Sequence, residues 1–164
     1  MRNEIAVITE IPLGLAGSLW RSPMPFAPFD PLNQVWPAYQ AQDISVVVVL
    51  TEKQEYLVHA KQDIPAFYRA AGLQVIFLPV PDHHAPHLED RAEYDEALKS
   101  VENHLRAGRN VAVHCLAGIG RTGTFIARLG RQILGMDGEA AIEWVRRFIP
   151  GAMESVDQEY FVLD

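Results

Sequence analysis

The sequence has only one cysteine, no long apolar run and no excess of positive charge. One cysteine excludes a disulfide within the chain, which makes a reducing cytoplasm the expected compartment. No stretch approaches the roughly 18 apolar residues of a membrane span. Acidic residues interrupt the apolar start of the chain, so a signal peptide is not expected either. The formal net charge of −7 argues against a nucleic-acid partner.

What is present has the composition of a globular domain, with 49% hydrophobic and 21% charged residues. The 164 residues are enough to bury a hydrophobic core, so we expect one domain over residues 1–164. Strand-like and helix-like runs alternate along the chain. This alternation predicts a layered α/β domain.

The hydrophobic spacing predicts strands and helices along the whole chain. The predicted strands are Ile5–Thr9, Ser18–Arg21, Val46–Leu50, Leu73–Leu78 and Asn110–His114. The predicted helices are Asn33–Gln42, one opened by a capping box of Thr51 and Gln54, Leu88–Leu105, Arg121–Leu134, Asp137–Phe148 and a last one opened by Ser155 and Gln158. The proline-rich segment Ser22–Leu32 is predicted to be a surface loop.

The single cysteine lies in the segment HCLAGIGRTG, between a predicted strand and a predicted helix. A glycine-rich turn at a helix N-terminus points several backbone N–H groups into one concavity, which favours a tetrahedral anion. The predicted phosphate-binding residues are Leu116, Ala117, Gly118, Ile119, Gly120 and Arg121. Arg121 adds a planar fork that grips two phosphate oxygens.

The same positive field stabilises a thiolate, so Cys115 is expected to act as a nucleophile at neutral pH. Thr122 is expected to donate its hydroxyl to that thiolate, and His114 to hold the loop through hydrogen bonds rather than act as a base. A small buried structural residue is the plainer interpretation of a lone cysteine. The surrounding glycines and arginine favour the nucleophile.

The spacing HCxxGxxRTG resembles the loop of the cysteine-dependent protein tyrosine phosphatase superfamily, and the chain is similar to its small atypical dual-specificity members. A rhodanese-type sulfur carrier resembles it less, because the Arg-Thr-Gly continuation is not expected there. The resemblance implies an α/β fold with a central mixed, mostly parallel sheet and helices on both faces. It also implies a single phosphatase catalytic domain over residues 1–164 that needs no metal or cofactor.

A leaving alkoxide or phenoxide needs a proton, and Asp82 in VPDHHAP is the expected donor. Asp82 follows a predicted buried strand, stands 33 residues before Cys115 and lies in a loop stiffened by prolines. The resembled family places its acid at a similar distance. A turn aspartate that accepts local N–H groups is the alternative interpretation. Asp90 and Asp95 lie in a predicted helix and are poorer candidates.

His83, His84 and His87 follow this aspartate closely. Pro86 prevents the three from sharing a helical face, and no cysteine or carboxylate completes a zinc pattern, so we expect no metal site. We expect the histidines to flank the substrate entrance, where they would add pH-dependent charge.

The segment RRFIPGAMESVDQEYF is similar to the loop that positions the hydrolytic water in small dual-specificity phosphatases. The resemblance implies that Gln158 positions this water, whereas a helix-capping role is the alternative. Glu154 departs from the pattern, because tyrosine-specific members have another glutamine there. A carboxylate at this position could act as a second base.

The resemblance implies a protein phosphatase that forms a phosphocysteine intermediate with a phosphoprotein or phosphopeptide substrate. Phosphotyrosine is the expected substrate residue, and phosphoserine and phosphothreonine are further candidates. A phosphoinositide or inositol-phosphate phosphatase on the same scaffold stays open as an alternative. A non-catalytic phosphate-binding module is the second alternative.

Overall fold

The computed structural model describes residues 6–164, in which five strands form one sheet in the order β1-β2-β5-β3-β4. The strands are β1 (Thr9–Ile11), β2 (Leu19–Ser22), β3 (Ile44–Val49), β4 (Gln74–Phe77) and β5 (Asn110–His114). Only β1 pairs antiparallel with its neighbour, and the other pairs are parallel. The expected mixed, mostly parallel sheet is confirmed.

Helices cover both faces of this sheet. They are α1 (Val35–Ala41), α2 (Lys53–His59), α3 (Ile64–Ala70), α4 (Arg91–Arg106), α5 (Gly120–Leu134), α6 (Gly138–Phe148) and α7 (Val156–Leu163), with a 3-10 turn at Leu88–Asp90. Apolar residues of α4 to α7 form the larger core on one face, and those of α1, α2 and α3 form a smaller core on the other.

Strand β3 is buried on both faces, and this accounts for the uninterrupted run of four valines in its sequence. Val46 and Val48 belong to the larger core, whereas Val47 and Val49 belong to the smaller one, and all four are fully buried. Successive side chains of a strand point to opposite faces, so a stretch of strand that is covered on both sides carries apolar residues at successive positions.

The parallel arrangement brings four loops to one edge of the sheet. Strands β2, β3, β4 and β5 run in the same direction, so the segments that follow them all leave at their carboxyl ends. Strand β5 lies in the centre, between β2 and β3. In open α/β sheets ligands bind at this edge.

Two predictions about elements were wrong in detail, and one helix was not predicted. The first strand begins at Thr9 and ends at Ile11, whereas Ile5 lies outside the described residues. Helix α2 is capped by a box of Glu52 and Glu55 rather than Thr51 and Gln54. Helix α3 was not predicted, although Asp63 caps it by accepting a hydrogen bond from the backbone of Ala66.

The proline-rich loop is less superficial than predicted. Met24 is fully buried, and its backbone N–H donates to the Leu116 carbonyl in the cysteine loop at 3.0 Å. The buried Asp30 carboxylate accepts backbone N–H groups of Phe26 and Gln34, which fixes the start of α1. The loop is therefore part of the frame around the cysteine. Among residues 6–164, no helix is long and apolar enough to cross a membrane.

The packing of α5 on α6 depends on the absence of a side chain at Gly130. A Cβ there would lie 2.7 Å from Trp144 Cζ3. We expect Gly130→Ala to lower the free energy of unfolding by up to about 2 kcal/mol, because overpacking costs about 1–3 kcal/mol and the gain in helix propensity returns only roughly 1 kcal/mol. Urea denaturation would measure the change. A variant more stable than the wild type would contradict this packing argument.

Candidate active site

The cysteine sits at the carboxyl end of the central strand. Cys115 follows β5 directly, is 3% exposed and lines a pocket at the edge where the loops converge. The residues around this pocket are Phe29, Asp82, His83, Cys115, Leu116, Ala117, Arg121 and Glu154. The pocket therefore contains the predicted nucleophile, arginine and acid together.

The backbone of the cysteine loop is polarised. Every carbonyl from Cys115 to Gly120 accepts a hydrogen bond from a protein group. By contrast, no backbone N–H from Leu116 to Arg121 has an acceptor within residues 6–164. Because a trans peptide holds its N–H and carbonyl on opposite sides, carbonyls bound to the surrounding protein leave these amides free on the other side. Such a nest of amides at the start of α5 favours an anion.

Arg121 is fixed by a carboxylate that the sequence did not single out. Its two terminal nitrogens donate to the two carboxylate oxygens of Glu55 at 2.8 and 2.7 Å, and Nη1 also donates to the Val80 carbonyl at 2.9 Å. Burial alone would lower the pKa of Arg121, but the Glu55 bonds and the nearby negative charges raise it overall. The guanidinium is thus held in place and charged.

Two buried donors at this site have no partner among the described residues. They are Arg121 Nε and Thr122 Oγ1. A buried donor without an acceptor costs free energy, so it is a candidate for a bond to a ligand. Both belong to the first turn of α5, beside Cys115, where a bound phosphate or a thiolate would accept them.

His114 holds the loop and is neutral. One ring nitrogen, Nδ1, lies 2.9 Å from the Cys115 carbonyl, and Nε2 lies 2.8 Å from the Tyr68 hydroxyl. Burial lowers the pKa of His114 to about 4, although the bond to the Cys115 carbonyl opposes the shift. A neutral ring donates from Nδ1 to the carbonyl and accepts from Tyr68 at Nε2.

Asp82 lies in a half-exposed position beside Arg121. Its Oδ1 is 3.2 Å from Arg121 Nη2 and also accepts the backbone N–H of His83. His83 adopts a left-handed backbone conformation with φ of 62°, and its ring lies 3.5 Å from the Asp82 carboxylate. The predicted acid is therefore in contact with the predicted phosphate-binding arginine before any substrate is bound.

Residues 153–158, here called the C-terminal loop although they include the start of α7, contact both residues 79–87, the acid loop, and residues 115–120, the cysteine loop. Asp157 accepts the Ala85 N–H at 2.8 Å and lies 3.6 Å from the His84 ring. Glu154 lies 3.7 Å from the His83 ring, and a Cβ on Gly120 would come within 2.7 Å of its Oε1. Glu154 is thus the member of this loop that faces the pocket.

Gln158 is fully buried behind Glu154. Its side-chain oxygen accepts the Glu154 N–H at 2.8 Å, and its amide nitrogen donates to the His84 carbonyl at 3.4 Å. Its own backbone N–H donates to Ser155 Oγ, so the predicted helix opening is also present. One hydrogen of the amide nitrogen remains uncommitted to these contacts.

The sequence reasoning missed Glu55, Tyr68 and Arg21. Glu55 lies in the first turn of α2, three residues after the N-cap Glu52, and nothing in this position indicates a pairing with Arg121. Arg21 lies in a segment predicted only as a strand, and Tyr68 lies in a segment for which no element was predicted. Within residues 6–164, no group of three His, Cys, Asp or Glu side chains is placed to hold a metal ion.

The chain matches a family model described as "Polymorphic toxin system, DSP-PTPase phosphatase" over residues 29–132. The uncharacterized protein MJECL20 of Methanocaldococcus jannaschii is 34% identical over 94 residues, which are 56% of this chain and 59% of that protein. The dual specificity protein phosphatase CDC14C of Homo sapiens is 35% identical over 50% of this chain and 19% of its own. The match thus spans less than two thirds of each of these relatives.

Solved structures share the fold over nearly the whole chain. Tk-PTP in its active form is 28% identical, with a TM-score of 0.72 and coverage of 94% of this chain and 93% of its own. PTPMT1 in complex with PI(5)P is 18% identical, with a TM-score of 0.75 and coverage of 96% and 92%. At that identity PTPMT1 is similar in fold alone.

The neutral His114 predicts how stability responds to acid. Its pKa falls from 6.5 in the unfolded chain to about 4 in the folded protein, so the unfolded chain binds the proton first on acidification. The contribution is present above the unfolded pKa and is lost as pH falls toward 4. Between about pH 7.5 and about pH 5, the free energy of unfolding should fall by about 2 kcal/mol from this group.

Urea denaturation of the wild type and of His114→Asn at both pH values would isolate this contribution. The variant should lack it, whereas His59→Asn, at an exposed histidine, should retain the wild-type pH dependence. Equal losses on acidification in the wild type and His114→Asn would show that His114 is not the group responsible.

Proposed function

This chain belongs to the DSP-PTPase phosphatase family, and on that premise we propose that it hydrolyses phosphate monoesters through a phosphocysteine intermediate. Its substrates are phosphoproteins or phosphopeptides. Phosphotyrosine is the preferred residue, with phosphoserine and phosphothreonine as secondary ones. The protein tyrosine phosphatase fold places it in the cysteine-based phosphatase superfamily.

The observation that carries the proposal is the polarised cysteine loop. Six consecutive N–H groups of this loop, and Arg121 Nε beside them, have no acceptor among residues 6–164, and they lie where a phosphate would meet Cys115. A phosphoryl group in transfer spreads negative charge over its equatorial oxygens. Fixed donors that point at that charge stabilise the transition state without reorganising, which is the larger part of such catalysis.

In the first step Cys115 Sγ attacks phosphorus, and the bond from phosphorus to the leaving oxygen breaks. Asp82 gives its proton to that oxygen. Phosphate that binds Arg121 would compete with Asp82 for Nη2, from which Asp82 now lies 3.2 Å. Displaced from the arginine, the carboxyl group is free to face the leaving group. Thr122 donates its free hydroxyl to the sulfur.

In the second step water attacks the phosphocysteine, the bond between sulfur and phosphorus breaks, and Asp82 takes the proton from the water. Glu154 faces the same pocket beside Gly120 and is a second carboxylate able to accept that proton. The Gln158 side-chain oxygen accepts the backbone N–H of Glu154, and its amide nitrogen has one hydrogen left for the water. Inorganic phosphate then leaves.

The charges at the pocket favour a single phosphate group over several. Asp82 and Glu154 stand at its rim, and Arg121 is the only lysine or arginine among the residues that line it. The loop positions Leu116, Ala117 and Ile119 are uncharged. Further phosphates of an inositol ring would meet carboxylates rather than cations, which argues against the phosphoinositide alternative.

We also propose that residues 1–164 act as one catalytic domain in a reducing compartment, the cytoplasm. Catalysis requires Cys115 as a free thiolate, and an oxidising compartment would inactivate it.

Variants at the nucleophile and the acid test the proposal. Release of p-nitrophenol from p-nitrophenyl phosphate in EDTA should be abolished by Cys115→Ser, and Asp82→Asn should reduce kcat by about 10²–10⁴-fold. Asp90→Asn, a matched change at a carboxylate outside the pocket, should leave kcat unchanged. Full activity in Cys115→Ser would overturn the mechanism. A silent wild type that still binds inorganic phosphate would favour the non-catalytic alternative.

A comparison of two substrates tests the substrate class. The value of kcat/KM should be higher for a phosphotyrosine peptide than for a soluble phosphoinositide with several phosphates. Inorganic phosphate release gives both rates in the same assay. Glu154→Gln should bring the two kcat/KM values closer together, because it removes one negative charge at the pocket rim that repels extra phosphates. Faster hydrolysis of a phosphoinositide than of any phosphopeptide would contradict the proposal of a protein phosphatase.

A further inference from the structure

A second arginine lies buried beneath the cysteine loop, outside the residues that line its pocket. Arg21 is in β2, next to central β5 in the sheet, and is 2% exposed. A buried guanidinium must satisfy its donors within the protein. All three of its nitrogens donate to backbone carbonyl oxygens.

Two of these carbonyls belong to consecutive peptides of the cysteine loop. Arg21 Nε donates to the Gly118 carbonyl at 3.1 Å, and Nη2 donates to the Ala117 carbonyl at 3.0 Å. Each of these peptides is trans, so its N–H points away from its carbonyl. The N–H groups on the far side are those of Gly118 and Ile119, two of the six without an acceptor.

The loop is shaped to receive this arginine. Gly118 has a positive φ of 76°, and a Cβ at this residue would overlap Arg21 Nη2 and the Ser22 carbonyl. The guanidinium therefore packs against the loop backbone where a side chain would exclude it. A planar fork with fixed donors orients two adjacent carbonyls at once, which a lysine ammonium cannot reproduce.

We propose that Arg21 is a positioning residue that holds the Gly118 and Ile119 amides toward the bound phosphate and adds positive charge behind the Cys115 thiolate. This inference rests on the proposed phosphatase function of the same site. Arg21 does not touch the substrate. It acts through the two peptides that it orients.

Charge supports the second part of this role. Burial lowers the pKa of the Arg21 guanidinium, and the negative charge of Cys115 is the largest influence that raises it again. The other charged or titratable groups that line the pocket are Asp82, His83, Arg121 and Glu154, and Glu55 pairs with Arg121.

The test compares Arg21→Met, which removes charge and fork, with Arg21→Lys, which keeps the charge alone. Three quantities are measured: kcat/KM for p-nitrophenyl phosphate, the inhibition constant of inorganic phosphate, and the pH profile of alkylation by iodoacetamide. Arg131→Met is the matched control, because Arg131 also donates to a carbonyl, that of Val162, far from the loop. Thermal unfolding of each variant reports its folding.

In Arg21→Met we expect kcat/KM to fall by about 10- to 100-fold, with weaker phosphate inhibition and an alkylation profile displaced to higher pH. Arg21→Lys should keep most of the wild-type alkylation profile but still lose kcat/KM and phosphate affinity. Arg131→Met should match the wild type in all three quantities.

If Arg21→Met fails to fold, Arg21→Lys decides alone, because loss of kcat/KM and phosphate affinity in a folded protein supports the positioning role. Wild-type kinetics and phosphate affinity in Arg21→Lys or in folded Arg21→Met would overturn the inference. A wild type that neither turns over substrate nor binds phosphate would instead refute the proposed function.

Discussion

A loop that binds an anion through its backbone must find a partner for each of its carbonyl oxygens, because a carbonyl turned into the pocket would repel the phosphate. Here the partners come from four directions: Met24 in the proline-rich loop, Arg21 in β2, the His114 ring, and the first turns of α5. The elements at the carboxyl edge of the sheet thus converge on one requirement.

The buried guanidinium of Arg121 must also be paired within the protein. A guanidinium that is only 3% exposed needs a paired negative charge and partners for most of its donors. Glu55 supplies the charge through two short bonds and Val80 accepts a further one, while Nε is left free. The pair therefore fixes the orientation of the arginine without consuming the donor that lies beside the cysteine loop.

The parts that local patterns determine could be predicted from the sequence. The HCxxGxxRTG spacing located the loop, the run of four valines located β3, and other apolar runs located β4 and β5. Helix α3 was missed because its 7 residues are too few to show a clear apolar spacing, although Asp63 and a proline mark its start. Glu55, Tyr68 and Arg21 were missed because their roles exist only where separate elements meet. The sequence separations to their partners range from 46 to 97 residues.

The acid loop and the C-terminal loop form one hydrogen-bonded unit, and this bears on how two chemical steps share one pocket. Asp157 binds the Ala85 N–H, Gln158 binds the His84 carbonyl, and His83 lies between the Asp82 and Glu154 carboxylates. In the proposed mechanism Asp82 acts in both steps, and Glu154 is a second carboxylate that lines the same pocket. Because the His83 ring lies against both carboxylates, a shift of the loop that carries Asp82 toward a leaving group would also change the surroundings of Glu154.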